Sequence, residues 1–176
     1  KYKLREYFTE QTKANNIDII FNFNIQQGKI LNDKGIIISN QNNKSLNLKA
    51  DILINATYAG TNNIQKIFST TEKMTRYNLQ TTEVVVVERK KNIPALTVMD
   101  GPFVTILPNI GYKNEYLVYD VVHSVNKNKI GYFYNYHTNI KSKWQKMKEH
   151  GLKYYPFMNE LKYKRSIYAS RPIPIK

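Results

Sequence analysis

The second half of the sequence contains a series of strand-like segments with no helix between them. β-branched and aromatic residues are concentrated in each segment, and Gly, Pro or Asn residues separate one segment from the next. Consecutive strands of this kind pair antiparallel, because a parallel pair needs a crossover, usually a helix. This region therefore predicts an antiparallel sheet. The segments are 81–89, 103–107, 115–124 and 131–137.

A lysine-rich helix is predicted after these strands, at residues 142–150, with Gly151 as its C-cap. Residues 158–170 fit either a helix or a strand, and the sequence does not decide between them. The Pro-x-Pro at 172–174 requires extended backbone around Arg171. The second half thus combines a sheet with at least one helix.

The first part of the chain has another order of elements. Helical spacing gives way to period-two alternation, then to turn residues and short strands, and finally to an apolar run suited to a strand covered on both faces. We predict an α+β fold that divides near residues 70–78, with regions 1–74 and 75–176. The predicted elements of the first region are a helix at 1–15, strands at 17–25, 35–39 and 51–56, and a short helix at 64–68.

The composition excludes several classes of protein. The chain has no cysteine, so disulfide frameworks and thiolate chemistry are excluded. With 41% hydrophobic residues it can form a core, but no apolar run reaches the roughly 20 residues that span a bilayer. The first residues lack the apolar segment of a secretory signal, and we expect a cytoplasmic protein.

The net charge of +14 is concentrated toward the C-terminal end. From Lys127 onward there are 12 basic and 2 acidic residues. A basic module that binds nucleic acid or another polyanion is therefore one hypothesis. The chain has no RNP-type aromatic motif, GXXG loop or zinc finger, and a solvated lysine-rich surface explains the charge more simply.

The apolar run at 51–56 leads into a short polar turn, and this combination resembles a known motif. A strand ending in a pattern like AD-x-x-x-x-A-T-G occurs in the nucleotide-binding domain of FAD-dependent oxidoreductases of the D-amino-acid oxidase and glycine oxidase superfamily. Tyr58 stands where that family has glycine, and Gly60 follows two residues later. Segments 96–108 and 115–124 resemble strands of the family's substrate domain. The matching motif residues are Ala50-Asp51 and Asn55-Ala56-Thr57.

The resemblance implies a flavoenzyme that contains FAD and transfers a hydride from an amine, amino acid or hydroxy acid to the flavin. The family's G-x-G-x-x-G, which binds the pyrophosphate at a helix N-terminus, is missing from these 176 residues. The chain would then be the middle portion of such an enzyme, inactive by itself. A degenerate relative that keeps the fold as a scaffold is a further hypothesis, favoured slightly by Tyr58.

The resemblance also implies roles for individual residues. Arg171, before Pro172, would hold a substrate carboxylate through paired hydrogen bonds. Tyr119, Tyr134 or Tyr116 would lie over the substrate, although most of the 14 tyrosines must have packing roles. His123 could touch the substrate or accept a proton. The residues expected near FAD are Ile25, Ala56, Thr57 and Gly60.

We predict no metal site. The three histidines, His123, His137 and His150, are far apart in the sequence, and no cluster of carboxylates accompanies them. Each is more simply interpreted as a structural residue. Substrate, electron acceptor and oligomeric state do not follow from the sequence.

Overall fold

The computed structural model describes residues 2–31, 34–41, 44–134 and 139–175. The chain forms two compact units, Lys1–Thr75 and Arg76–Lys176. Helices and mainly antiparallel sheets make up both units, so the predicted α+β class is confirmed. No helix in the described ranges is long and apolar enough to cross a membrane.

The first unit contains two helices and a three-stranded antiparallel sheet in the order β1-β2-β3. The predicted helix at 1–15, the strand at 35–39 and the short helix at 64–68 are confirmed, with slightly different bounds. The ring of Phe68, which is buried, lies so close to Gly28 that a Cβ there would be 2.5 Å from it. The elements are α1 (Tyr2–Ala14), β1 (Gln27–Leu31), β2 (Lys34–Gln41), β3 (Lys44–Ala50) and α2 (Thr61–Ile67).

Two predicted strands of this unit, at 17–25 and 51–56, are wrong. Both segments lie outside every strand of the structure, and within the described residues neither is paired with a strand of the sheets. Most of their apolar side chains are exposed, with Ile52 80% and Ile54 82% exposed. A segment with a strand-like side-chain pattern becomes a strand only where a neighbouring strand pairs with its backbone. No strand within the described residues pairs with either segment.

The second unit is built around one long strand. β4 pairs antiparallel with β9 along its whole length, and its other edge pairs with β7 near one end and β8 near the other. β6 and β5 extend the sheet beyond β7. The elements are β4 (Tyr77–Glu88), β5 (Leu96–Thr97), β6 (Val104–Pro108), β7 (Glu115–Asp120), β8 (Val125–Gly131), α3 (Trp144–Gly151) and β9 (Lys162–Pro174).

The core of this unit lies where α3 and the following residues pack against the sheet. Val85 and Val87 of β4 are fully buried there with Met147 and Met158, and Trp144 covers the edge of the cluster. Burying a side chain of this size contributes about 1.5–3 kcal/mol. The β-branched run at 84–87 is therefore the centre of the fold, and Val86 is also fully buried.

One predicted strand of the second unit is misplaced, and one undecided segment is now assigned. The last sheet strand in the 125–137 region is β8, ending at Gly131, and not 131–137, whose last three residues lie outside the described ranges. β8 is an edge strand with polar residues and exposed lysines, and its sequence therefore lacks the β-branched pattern that predicts a strand. The undecided residues 158–170 are a short 3-10 helix followed by strand β9.

Gly151 is the last residue of α3 and not the cap beyond it. Leu152, in right-handed helical conformation, is the C-cap. A Cβ on Gly151 would be 2.6 Å from Met158 Cε. The glycine is therefore required by close packing, and not by a left-handed turn.

Candidate functional site

The turn after residue 54 is organised by the side chain of Asn55. Its Oδ1 accepts a hydrogen bond from Thr57 Oγ1 at 2.7 Å, and its Nδ2 donates to the Thr61 carbonyl at 3.0 Å. Gly60 N donates to the Thr57 carbonyl at 2.9 Å. Three of the four residues expected near FAD, Ala56, Thr57 and Gly60, therefore share this turn.

Tyr58 has the left-handed backbone conformation of this turn, with φ of 52°. Glycine adopts this conformation without steric cost, whereas a tyrosine is strained there. Gly60 has φ of −89°, which any residue adopts. The left-handed conformation therefore lies at Tyr58, where the family has glycine, and not at Gly60. The backbone at Tyr58 keeps the shape of a glycine turn, and its side chain is 63% exposed.

Ile25, the fourth expected cofactor residue, is half-buried and precedes β1 in a segment without strand pairing. Beside β1 the first unit has a cleft of about 310 Å³, which Asn55 and Asp51 border together with α2. Gln65 contributes a buried Oε1 that has no hydrogen-bond partner within the described residues. This volume is at the lower end of small-molecule sites. The cleft can hold part of a cofactor but not enclose a dinucleotide.

The candidate substrate residues of the second unit do not share one environment. Arg171 of β9 is exposed, and its Nη1 donates to Tyr119 Oη on β7 at 3.4 Å. No carboxylate in the described ranges forms an ion pair with this guanidinium. The Tyr119 ring packs at 6.4 Å from Phe103. The structure therefore brings Arg171 and Tyr119 together as an exposed cation beside a phenol.

The other two tyrosine candidates have their hydroxyls engaged by the sheet. Tyr134 Oη contacts Thr81 Oγ1 and donates to the Gln80 carbonyl at 3.3 Å. Tyr116 is buried, and its Oη accepts from Ile93 N at 3.2 Å. These contacts hold the two side chains against their neighbours, which is a packing role.

His123 lies in a cluster that the sequence analysis did not anticipate. His150 Nδ1 and Asp120 Oδ2 are 2.8 Å apart, with Asp120 fully buried and His150 8% exposed. The rings of His123 and His150 meet edge to face with centroids 5.6 Å apart. Histidines that are far apart in the sequence are therefore neighbours in the structure, which their sequence separation did not indicate. His137 lies outside the described residues.

A second buried carboxylate, Glu83, holds the elements around β4 together. Its Oε2 accepts from Asn126 Nδ2 and from Lys143 N, both at 2.9 Å, and its Oε1 accepts from Ser166 Oγ. Burial by itself raises the pKa of Glu83. The hydrogen bonds from Lys143 N, Ser142, Ser166 and Asn126 outweigh that effect and hold its pKa below 4.5. The carboxylate has a structural role, because both of its oxygens accept hydrogen bonds from other parts of the same unit.

Glu115 at the start of β7 is paired with two cations. Arg165 Nη2 lies 3.0 Å from its Oε2, and Lys164 Nζ lies 2.6 Å from its Oε1. The hydrogen bond from Arg165, followed by that from Lys164, lowers the pKa of Glu115 to about 2. This pair joins β7 to β9 across β4.

Comparison with solved structures identifies the fold of the chain. Glycine oxidase from Geobacillus kaustophilus matches 92% of this chain with a TM-score of 0.63 and 12% sequence identity. CmlS, a flavin-dependent halogenase, matches 97% with a TM-score of 0.50 and 10% identity. No protein-family model matches the chain, and no curated protein sequence does.

The chain therefore has a fold like that of part of this glycine oxidase and part of this flavin-dependent halogenase. It spans 39% of the glycine oxidase chain and 31% of the halogenase chain, so it corresponds to part of each. At such low identity the likeness concerns the fold alone.

The Asp120–His150 contact could not be predicted from the sequence. It joins a strand end to a helix 30 residues later, and no sequence motif links the two positions.

Proposed function

We propose that this chain is part of an FAD-dependent oxidoreductase that acts on an amine, an amino acid or a hydroxy acid. The first unit would be a portion of the FAD-binding domain, and the second a substrate domain. The likeness to glycine oxidase, which extends over 92% of the chain, supports this proposal. The flavin, when bound, would accept a hydride from the carbon that bears the amine or hydroxyl.

The main observation behind the proposal is the exposed guanidinium of Arg171. Its guanidinium is exposed and has no carboxylate partner in the described ranges, whereas Arg89 and Arg165 each pair with a glutamate. A guanidinium offers several N–H donors in one plane and binds a carboxylate through two parallel hydrogen bonds. Tyr119 Oη, 3.4 Å from Nη1, supplies a further donor. We therefore assign carboxylate binding to Arg171 and Tyr119.

The residues present fit FAD only in part. The turn of Asn55–Thr61 has the backbone of a glycine turn, and the buried Gln65 Oε1 can accept a hydrogen bond from a ligand. None of the seven glycines are spaced to form a phosphate-binding loop. The chain by itself would therefore bind the pyrophosphate poorly, and no chemical step is assigned to the flavin with this chain alone.

The apolar segments at 17–25 and 51–56, which lie outside every strand of the structure, support a dinucleotide-binding portion elsewhere in the intact enzyme. Such a portion contains parallel strands, and an apolar run like 51–56 is the type that parallel sheets bury on both faces. The alternating segment 17–25 fits a strand with one covered face. Exposed apolar residues in contiguous stretches mark surfaces that are covered in the functional protein. We propose that strands of that portion pair with these two segments.

Carboxylate binding can be tested on this chain without flavin. Glycine would be titrated into the isotopically labelled protein, with methylamine as the ligand that lacks a carboxylate. The NMR signals of the Tyr119 ring, which lies beside residue 171, would be followed in every variant, and those of the Arg171 side chain in the wild type. We expect saturable shifts with glycine alone. Arg171→Ala should weaken binding about 10–100-fold, because hydrogen bonds to charged groups contribute about 1.5–3 kcal/mol.

Arg76→Ala is the matched control, since Arg76 is an exposed arginine of the same unit. It removes the same charge and should leave glycine binding unchanged. Arg171→Lys should bind with intermediate affinity, because an ammonium cannot make two parallel bonds. Equal glycine binding by Arg171→Ala and wild type would overturn the assignment.

A further inference from the structure

We propose that Asp120, His123 and His150 form a binding site for a divalent transition metal ion of the Zn²⁺ type. One carboxylate oxygen and two imidazole nitrogens, one from each residue, all lie within 4.8 Å of one another. This set of ligands is one that zinc and related ions prefer in proteins. The site lies within the second unit and is independent of the proposed flavoenzyme function.

The carboxylate of Asp120 is fixed before any metal arrives. Asp120 is the last residue of β7, and its Oδ1 accepts from the backbone N–H groups of Val122 at 2.8 Å and His123 at 3.1 Å. Its own N–H donates to Ser124 Oγ at 3.0 Å. Both backbone donors act on Oδ1, so Oδ2 is left for His150. A buried carboxylate oriented in this way is a preorganised ligand.

His150 comes from a different element, the last turn of α3. Its ring is held by the 2.8 Å contact of Nδ1 with Asp120 Oδ2 and by the edge-to-face ring of Tyr154, 5.6 Å away. A metal ion between Oδ2 and Nδ1 would take the place of the proton that they share. Metal ligands must be deprotonated, so this proton leaves to solvent when the ion binds.

His123 completes the set of three ligands. It is half-buried in the turn after β7, and within the described ranges its ring contacts His150 and makes no hydrogen bond. Ligand atoms around a tetrahedral zinc are about 3.3 Å apart, given bond lengths near 2.0 Å. The His123 nitrogen must therefore approach by at most about 1.5 Å. Rotation of a partly exposed side chain provides this movement, and water can occupy the fourth position.

The site can be tested on the chain after treatment with a chelator and removal of metal. Zn²⁺ would be titrated in competition with a chromophoric chelator, and Co²⁺ would be added separately as a spectroscopic probe. We expect one Zn²⁺ per chain, a visible Co²⁺ spectrum of tetrahedral type, and a higher Tm with Zn²⁺ by mass action. His123→Ala should weaken Zn²⁺ binding at least tenfold and change the Co²⁺ spectrum.

Val122→Ala is the matched control, because Val122 is an exposed neighbour whose role toward Asp120 is a backbone one. It should bind Zn²⁺ like wild type. His123→Gln serves as a second variant if His123→Ala loses its fold by circular dichroism. Failure of the wild-type chain to bind Zn²⁺, or equal binding by wild type and a folded His123 variant, would overturn the proposal.

Discussion

Removing the Glu83 carboxylate should destabilise the second unit by an amount that the structure allows to be calculated. Glu83→Ala leaves hydrogen-bond donors without their acceptor, among them Asn126 Nδ2, Lys143 N and Ser166 Oγ. An unsatisfied buried group costs about 1–3 kcal/mol. Part of this total is offset, since a buried charge with a desolvation penalty of several kcal/mol is also removed. We expect a net loss of about 3 kcal/mol.

Glu83→Gln tests whether the acceptor atoms or the charge matter more. A glutamine can place its Oε1 toward Lys143 N and Asn126 Nδ2, and its Nε2 can donate to Ser166 Oγ. Only the charge-assisted part of the hydrogen bonds is then lost, and we expect a cost of about 1 kcal/mol. Because about 1 kcal/mol lowers Tm by roughly 4–8 °C in a unit of this size, the two variants should be well separated.

Urea unfolding followed by tryptophan fluorescence measures this loss. Trp144 is the single tryptophan of the chain and packs against the core of the second unit, so its signal reports on that unit. Glu88→Ala is the control, since Glu88 is an exposed glutamate on the same strand. A cost below about 0.5 kcal/mol for Glu83→Ala, or equal costs for both Glu83 variants, would refute the reasoning.

Two further predictions concern the same unit. The pKa of Glu115 is lowered to about 2, so the stability that this carboxylate contributes is complete above pH 4.5 and should be lost as the pH falls toward 2. Glu115→Gln should flatten the dependence of the unfolding free energy on pH in this range, and an unchanged slope would contradict the assignment. Gly151→Ala should destabilise by about 1–3 kcal/mol in urea, because its Cβ overlaps Met158. This penalty should disappear in a Met158→Ala background, as a double-mutant cycle would reveal.

The sequence predicted those parts of the fold that depend on local pattern. Strand β4 and helix α1 were predicted correctly, because a β-branched run and helical spacing of apolar residues are visible in the sequence itself. Segments 17–25 and 51–56 have equally strong strand patterns but are not strands here. Their pairing depends on neighbours that periodicity does not reveal. β8 was missed for the opposite reason, since pairing with β4 makes a strand of a polar, lysine-rich segment.

The candidate site was predictable only where a motif is contiguous. Ala56, Thr57 and Gly60 share a turn because they are neighbours in sequence. The left-handed conformation, however, falls on Tyr58 and not on the glycine. The Arg171–Tyr119 contact joins two strands that lie on opposite edges of β4, and the Asp120–His150 contact joins a strand end to a helix. Contacts of this kind follow from tertiary packing, which a single sequence does not specify.

Retention of FAD by two purified proteins, compared side by side, shows whether this chain is part of a larger flavoenzyme. One is this chain, and the other is the product of the complete reading frame that contains it; each would be incubated with FAD and passed through gel filtration. We expect visible flavin absorption that stays with the longer product and not with this chain. A longer product that retains no flavin would contradict the account.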